Sequence, residues 1–262
     1  MEGKAKLIEV FSAIQGEGLN IGTRQIFIRF AMCDLRCSFC DSAHTWHIMP
    51  TCRIEATPGH RDFTVYENPV EMLQLLEWVE RQNLPGLHDS ISVTGGEPLL
   101  HAPFLREFLP LVKQRTGLPI YLETGGHRPG QLQMILPHLD LVGMDVKLPS
   151  VSGESHYPAH GEFLRLCWDA GVEVFVKLIV SDTTNSVDLE MAADLVAACS
   201  PEILVFLQPV TPLKVSETLE GKHGIGLVAP TPEQVLQWQA LMKRQLKRVR
   251  VVPQTHKFMN QL

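Results

Sequence analysis

The sequence predicts an α/β fold built on a mostly parallel sheet. Apolar runs of strand length alternate with amphipathic segments of helix length through the 262 residues, as in chains made of βα units. Polar or glycine-rich motifs directly follow five of the predicted strands. Because the carboxyl ends of parallel strands meet at one edge of a sheet, we expect these motifs to face a single cavity.

Seven segments have the length and composition of strands: 25–30, 90–93, 119–122, 139–144, 172–179, 203–207 and 249–252. Helices are predicted at 69–82, 103–115, 129–137, 160–170, 187–199 and 232–246. Two helix starts carry a capping box with proline in the first turn, one at Asn68 with Glu71 and one at Thr231 with Gln234. We also expect a loop at 221–226, near the cavity mouth.

The length favours one domain covering residues 1–262. Residues 43–67 are rich in His, Thr and Pro and show little periodicity, which predicts an irregular insertion over the cavity. The net charge of −6 argues against nucleic acid as the main partner. No apolar run reaches the ~20 residues of a membrane span. Residues 1–20 do not contain the long apolar core of a signal peptide, and the six cysteines suit a reducing compartment, so we expect a cytoplasmic protein.

The most informative motif is C-x3-C-x2-C, formed by Cys33, Cys37 and Cys40. Three thiolates on one short loop suit an iron–sulfur cluster. Three ligands for a cluster of four irons leave one iron open to a small molecule. A structural zinc site is the alternative, with His44 or Cys52 as its fourth ligand.

Further motifs follow the later strands and allow two interpretations each. The backbone at Gly96 can approach a ligand closely, while Glu97 either adds negative charge there or braces the turn. Glu123 either accepts hydrogen bonds from a ligand or caps the local backbone. Lys147 either pairs with a ligand carboxylate or extends its charged end from the strand into water. Gln208 ends a later strand.

The cysteine loop, with Phe39 before its last cysteine, and the following Gly-Gly-Glu-Pro turn resemble the radical S-adenosylmethionine (SAM) enzymes. The resemblance implies a [4Fe-4S] cluster on the three cysteines. It also implies a partial, contracted β/α barrel with the cluster at the carboxyl ends of the strands. The SAM-binding residues that it implies are Phe39, Cys40, Asp41, Gly96, Glu97, Glu123, Lys147 and Gln208.

Residues 9–18, 27–33 and the ending at 253–257 further resemble the 7-carboxy-7-deazaguanine synthases. This implies a lyase that converts 6-carboxy-5,6,7,8-tetrahydropterin, through radical chemistry and loss of ammonia, in queuosine and deazapurine biosynthesis. The substrate would be held by Ile14, Gln15, Gly16, Arg29 and Thr94. The resemblance also implies Mg²⁺ on Ser42, with Asp41 as a second candidate ligand, a homodimer, and flavodoxin or ferredoxin as reductant. The main departure is the stretch 43–67.

Two other functions fit part of the sequence. A glycyl-radical-enzyme activase resembles this chain in the cysteine motif, the Gly-Gly-Glu-Pro turn and an aspartate–lysine strand end. It acts on a protein glycine, whereas the Ile-Gln-Gly-Glu-Gly stretch and Arg29 favour the small pterin. A zinc-bound interaction module on the three cysteines and His44 would be colourless, while a cluster would colour the protein brown.

Overall fold

The computed structural model describes residues 3–212 and 227–261, so the loop expected at 221–226 lies outside the described residues. The strands are β1 (Lys4–Ala5), β2 (Leu7–Ile14), β3 (Arg24–Phe30), β4 (Thr51–Glu55), β5 (Phe63–Glu67), β6 (Val70–Glu71), β7 (Ser90–Gly95), β8 (Ile120–Thr124), β9 (Leu141–Asp145), β10 (Glu173–Val180), β11 (Leu204–Pro209) and β12 (Val249–Val251). The α-helices are α1 (Met72–Gln82), α2 (Ala102–Thr116), α3 (Pro129–Ile135), α4 (Pro149–Ser152), α5 (Tyr157–Asp169), α6 (Ser186–Cys199), α7 (Pro232–Met242) and α8 (Thr255–Phe258). Within these ranges, no helix has both the length and the apolar character needed to cross a membrane.

Ten strands form one open sheet in the order β12-β11-β10-β9-β8-β7-β3-β2-β4-β5. The strands from β12 to β3 run parallel to one another, while β2 is antiparallel to β3 and β5 is antiparallel to β4. Among the described residues, the two edge strands do not pair with each other. The α/β class and the partial, unclosed barrel predicted from the sequence are therefore confirmed.

The two faces of the sheet are packed differently. Successive residues of a strand point to opposite faces, so Val176 joins the large apolar core shared with the helices. Its neighbour Phe175 joins a small aromatic cluster with Tyr121 and Phe206 on the other face. This second face forms the floor of the cavity described below.

The sequence predicted an irregular insertion at 43–67. This is wrong for part of the segment, which contributes strands β4 and β5. These strands form a hairpin that extends the sheet beyond β2. The periodic signal is weak: Cys52 and Ile54 of β4 are buried, but β5 lies at the sheet edge and is mostly exposed. The strand β2, which precedes the first predicted strand, was likewise missed.

The capping box predicted at Asn68 is wrong. Helix α1 begins at Met72, and Glu71 stands at its N-cap without a side-chain cap. The side chain of Asn68 instead pairs with the backbone of Leu7, with hydrogen bonds of 3.1 and 2.7 Å. Tertiary pairing has therefore outweighed the local capping signal. The predicted capping box of Thr231 and Gln234 is confirmed.

Candidate active site

A cavity of about 410 Å³ opens at the carboxyl ends of the parallel strands. Nearly all the residues singled out in the sequence line it: Ile14, Gln15, Gly16, Arg29, Cys33, Cys37, Phe39, Cys40, Asp41, Ser42, Thr94, Gly96, Glu97, Glu123 and Lys147. Gln208 lines a neighbouring cavity of about 80 Å³, which shares Phe39 and Asp41 with the larger one. The strand ends thus meet at one place, as the parallel topology requires.

The cysteine loop brings three free thiols to one wall of this cavity. The backbone N–H of Cys40 donates to the carbonyl of Cys37 at 3.1 Å, which tightens the loop. Arg36 donates to the carbonyl of Cys33 at 2.7 Å and lies 4.9 Å over the ring of Trp46. This donor set fits a cluster with three cysteine ligands. In the described residues, no three His, Cys, Asp or Glu side chains are arranged to hold a single metal ion.

Burial affects the cysteines before any metal binds. It raises the pKa of Cys33 to about 12 and that of Cys40 to about 11. Because a metal or cluster binds the thiolate, its binding must release these protons.

The glycine turn after β7 packs directly against the cysteine loop. A Cβ at Gly96 would stand 2.9 Å from Cβ of Cys33, so only glycine allows this approach. Glu97 is 1 % exposed and accepts hydrogen bonds from the Thr124 hydroxyl and the Gly125 N–H, both at 2.8 Å. Of the two roles predicted for Glu97, the structure shows the bracing one, which ties the end of β7 to the end of β8.

The first residues of the Ile-Gln-Gly-Glu-Gly stretch are already bonded within the protein. The amide of Gln15 donates to Oε1 of Glu123 at 2.9 Å, and Ser92 donates to the same oxygen at 2.6 Å. Burial raises the pKa of Glu123. The main-chain N–H of Gln15 donates to Thr23 at 2.9 Å, so the backbone at this residue is less open to a ligand than the sequence suggested.

Six charged side chains form a second feature, called here the lysine–carboxylate network: Glu17, Asp41, Asp145, Lys147, Lys177 and Lys257. Asp145 accepts from Lys147 at 2.8 Å and lies 3.2 Å from Lys177, its register partner across β9 and β10. Lys177 also pairs with Glu17. Burial would lower the pKa of Lys147, but the Asp145 carboxylate outweighs it and holds that pKa well above its usual value.

The network continues into the C-terminal segment. Gln254 donates to Glu17 at 2.8 Å and to Asp41 at 3.0 Å, and Lys257 lies 3.0 Å from the same Asp41 carboxylate. Burial raises the pKa of Asp41, but the Lys257 ammonium outweighs this and holds it well below the usual range. Lys257 belongs to the ending at 253–257 that carries the family resemblance, whereas Lys177 was not predicted as a site residue. A lone lysine within the apolar run of β10 was the available signal for Lys177.

A third feature, called here the arginine pair, consists of Arg29 and Arg53 around the buried Glu9. Arg29 donates to Glu9 at 2.8 Å and is the register neighbour of Thr94 on β7. Burial raises the pKa of Glu9, but Arg29 and Arg53 outweigh it and hold the pKa below its ordinary value. Arg53 was missed because it lies on β4, within the stretch read as irregular.

Gln208 brings a buried hydrogen-bond acceptor to the smaller cavity. It is 1 % exposed, and its Oε1 has no hydrogen-bond partner among the described residues. A buried acceptor without a donor costs free energy, so this oxygen suits a ligand that carries an N–H or O–H group. The side chain thus fits the role expected of it toward SAM.

Comparison with known proteins agrees with this geometry. The model of the radical SAM superfamily matches residues 27–180, from β3 to the end of β10. A 7-carboxy-7-deazaguanine synthase of Geobacter sulfurreducens is 41% identical over 98% of this chain and 98% of its own length. The crystal structure of QueE from Escherichia coli has the same fold, with a TM-score of 0.55 at 19% identity over 95% of this chain and 93% of that one.

The activase alternative has weaker support. The pyruvate formate-lyase-activating enzyme of Clostridium pasteurianum is 26% identical over 69% of this chain and 70% of its own length. The match to the synthase is higher in identity and extends over nearly the whole of both chains. The chain therefore belongs to the radical SAM superfamily and, within it, to the 7-carboxy-7-deazaguanine synthase family.

Proposed function

We propose that this protein converts 6-carboxy-5,6,7,8-tetrahydropterin to 7-carboxy-7-deazaguanine and ammonia, as a lyase of queuosine and deazapurine biosynthesis. The observation that carries the proposal is one cavity of about 410 Å³ that joins the cysteine loop to the arginine pair. Such a volume suits a small molecule with its cofactor. The cysteine loop suits a radical-forming cluster, and the arginines suit a substrate carboxylate.

The cluster and SAM supply the radical chemistry, while the protein holds and orients the reactants. Cys33, Cys37 and Cys40 are the proposed cluster ligands. The proposed contacts to SAM come from Phe39, Asp41, Gly96, Glu97, Glu123, Lys147 and Gln208. Arg29 and Thr94, neighbours across β3 and β7, orient the substrate, with the stretch from Ile14 to Gly16 beside its ring.

We assign the Mg²⁺ ligand to Ser42. Its hydroxyl donates to Oδ1 of Asp41 at 3.1 Å, so its lone pairs stay available to a cation. The other Asp41 oxygen lies 3.0 Å from Lys257, so in this proposal Asp41 orients Ser42 and remains the second candidate ligand. Mg²⁺ prefers oxygen ligands and keeps several waters, and here it would add positive charge near the substrate carboxylate.

Further parts of the proposal concern the whole protein. Residues 1–262 act as one domain, as the continuous ten-stranded sheet suggests. The protein works as a cytoplasmic homodimer, reduced by flavodoxin or ferredoxin. Nucleic acid and membranes are not its partners, which agrees with the net charge of −6.

The test is an anaerobic incubation of the reconstituted protein with reductant, Mg²⁺, SAM and the pterin, followed by mass spectrometry. We expect 7-carboxy-7-deazaguanine at many turnovers per SAM. The variant Cys37→Ala should abolish product, while Cys199→Ser should not, because Cys199 ends α6 and does not line the cavity. Formation of 5′-deoxyadenosine without this product would overturn the substrate and return the activase to consideration.

A further inference from the structure

A row of four side chains crosses the sheet at the edge of the cavity. The strand registers align Thr94 with Arg29, Arg29 with Glu9, and Glu9 with Arg53. Side chains directly opposite one another on paired strands point to the same face. All four line the cavity, so the hairpin of β4 and β5 extends the wall formed by Arg29 and Thr94.

Glu9 is shared between two cations. One of its carboxylate oxygens accepts from Nε of Arg29 at 2.8 Å, and the other accepts from Nε of Arg53 at 2.7 Å. Glu9 is only 3 % exposed. Two guanidinium groups around one carboxylate leave an excess of one positive charge on this part of the wall. The Arg53 side chain is 46 % exposed, so its guanidinium is accessible to a ligand, and a carboxylate there would form charge-assisted hydrogen bonds with it.

Both guanidinium groups are held in place by aromatic rings. Arg53 lies 4.4 Å over Phe63 of β5, and Arg29 lies 5.5 Å over Phe11 of β2. These contacts restrict the two side chains before a ligand binds. Less conformational entropy is therefore lost on binding, which increases affinity for a ligand that fits. The two guanidinium groups are therefore positioned for a carboxylate before a ligand binds.

The nearby cations do not supply the same excess. Lys257 is paired with Asp41 at 3.0 Å. Lys147 and Lys177 are paired with Asp145 at 2.8 and 3.2 Å. The uncompensated charge therefore belongs to the arginine pair, and Arg53 is the member that creates it.

We propose that Arg53 is a second arginine for the substrate carboxylate and that it determines the preference of the enzyme for a 6-carboxylated pterin. The inference rests on the proposed function, because it takes the substrate from there. It gives the hairpin at 51–67 a direct role in recognition of the substrate.

The test measures binding of two stable pterins to the anaerobic, reconstituted protein with SAM. The probes are 6-carboxypterin and pterin without the carboxylate. Calorimetry gives the dissociation constant of each. We expect the wild type to prefer 6-carboxypterin by about tenfold or more, as charge-assisted hydrogen bonds predict. Arg53→Gln should lose most of this preference, and Arg53→Lys should keep part of it. In turnover, Arg53→Gln should raise KM with little change in kcat.

Arg106→Gln is the matched control, because Arg106 on α2 is exposed and pairs with the neighbouring Glu107, away from the cavity lining. Its preference should equal that of the wild type. A wild type without preference for 6-carboxypterin would count against the proposed substrate itself. A wild type with the preference and an Arg53→Gln variant that retains it would overturn the role of Arg53. Equal weakening of both probes in that variant would also overturn it, since it would indicate a structural role.

Discussion

The arginine pair and the lysine–carboxylate network line the same cavity, but their charges add up differently. The network contains three carboxylates and three ammonium groups, which satisfy one another. The arginine pair has two cations for the single carboxylate of Glu9. In the sheet the two groups are separated by β7 and β8, because Arg29 lies on β3 and Asp145 lies on β9.

The difference separates two uses of charge in the cavity wall. The charges of the network balance one another before any ligand binds, so its first effect is to fix the ends of β9 and β10 against the C-terminal segment. An unbalanced group is completed by an anion, so its first effect is recognition. Removal of a charge should therefore cost mainly stability in the network and mainly affinity in the arginine pair.

The largest effect is expected from Asp145→Asn. The change leaves Lys147 and Lys177 without the carboxylate that both contact, at 2.8 and 3.2 Å. Breaking a buried ion pair from one side costs about 3–5 kcal/mol. Urea unfolding should show this loss, whereas Asp140→Asn, at an exposed pair with Lys113, should cost about 1 kcal/mol or less. Equal losses in the two variants would mean that the network is not a stabilising unit.

A smaller effect is expected from Gly16→Ala. The added Cβ would lie 2.3 Å from Nδ1 of His256, so the C-terminal segment must move and draw Lys257 away from Asp41. We expect a loss of about 1–3 kcal/mol in stability, typical of overpacking. Hydrogen exchange at 254–261 should also become faster. Gly130→Ala on α3 has open space around its Cβ and should be neutral or stabilising. Unchanged exchange in Gly16→Ala would argue against this coupling.

The smallest effect concerns pH and the strand that carries Glu9. His88 bonds Ser12 of β2 at 2.7 Å. Burial, assisted by the Arg24 charge, lowers the pKa of His88 from 6.5 to about 4. The unfolded chain therefore takes up a proton near pH 6.5 that the folded chain excludes, so stability falls as pH decreases from about 6.5 toward 4.

The free energy of unfolding should fall by about 1 kcal/mol between pH 7 and pH 5.5 because of His88. His88→Gln should reduce the difference in unfolding free energy between pH 7 and pH 5.5 by that amount. The exposed His60→Gln should leave the difference at its wild-type value. If the variant at position 88 kept the full pH dependence, another group would be responsible.

The strand-end motifs could be predicted from the sequence because parallel strands bring their carboxyl ends together. This rule placed Cys33, Gly96 and Glu123 at one cavity before any contact was known. Arg53 could not be found in this way, since its position depends on a long-range pairing of β4 with β2. The capping box predicted at Asn68 was wrong for the same reason, because the side chain of Asn68 forms a long-range hydrogen bond with the backbone of Leu7. Lys257 reaches the site only because the C-terminal segment folds back over Gly16.

The division of the cavity between the two charged groups can be tested in one crystal of the reconstituted protein with SAM and 6-carboxypterin. Anomalous diffraction at the iron edge would locate the cluster, and the density would locate the carboxylate. We predict iron at Cys33, Cys37 and Cys40, with the pterin carboxylate within hydrogen-bond distance of Arg29 and Arg53. The pterin carboxylate bound at Lys147 or Lys177, with the arginine pair left unliganded, would contradict the division.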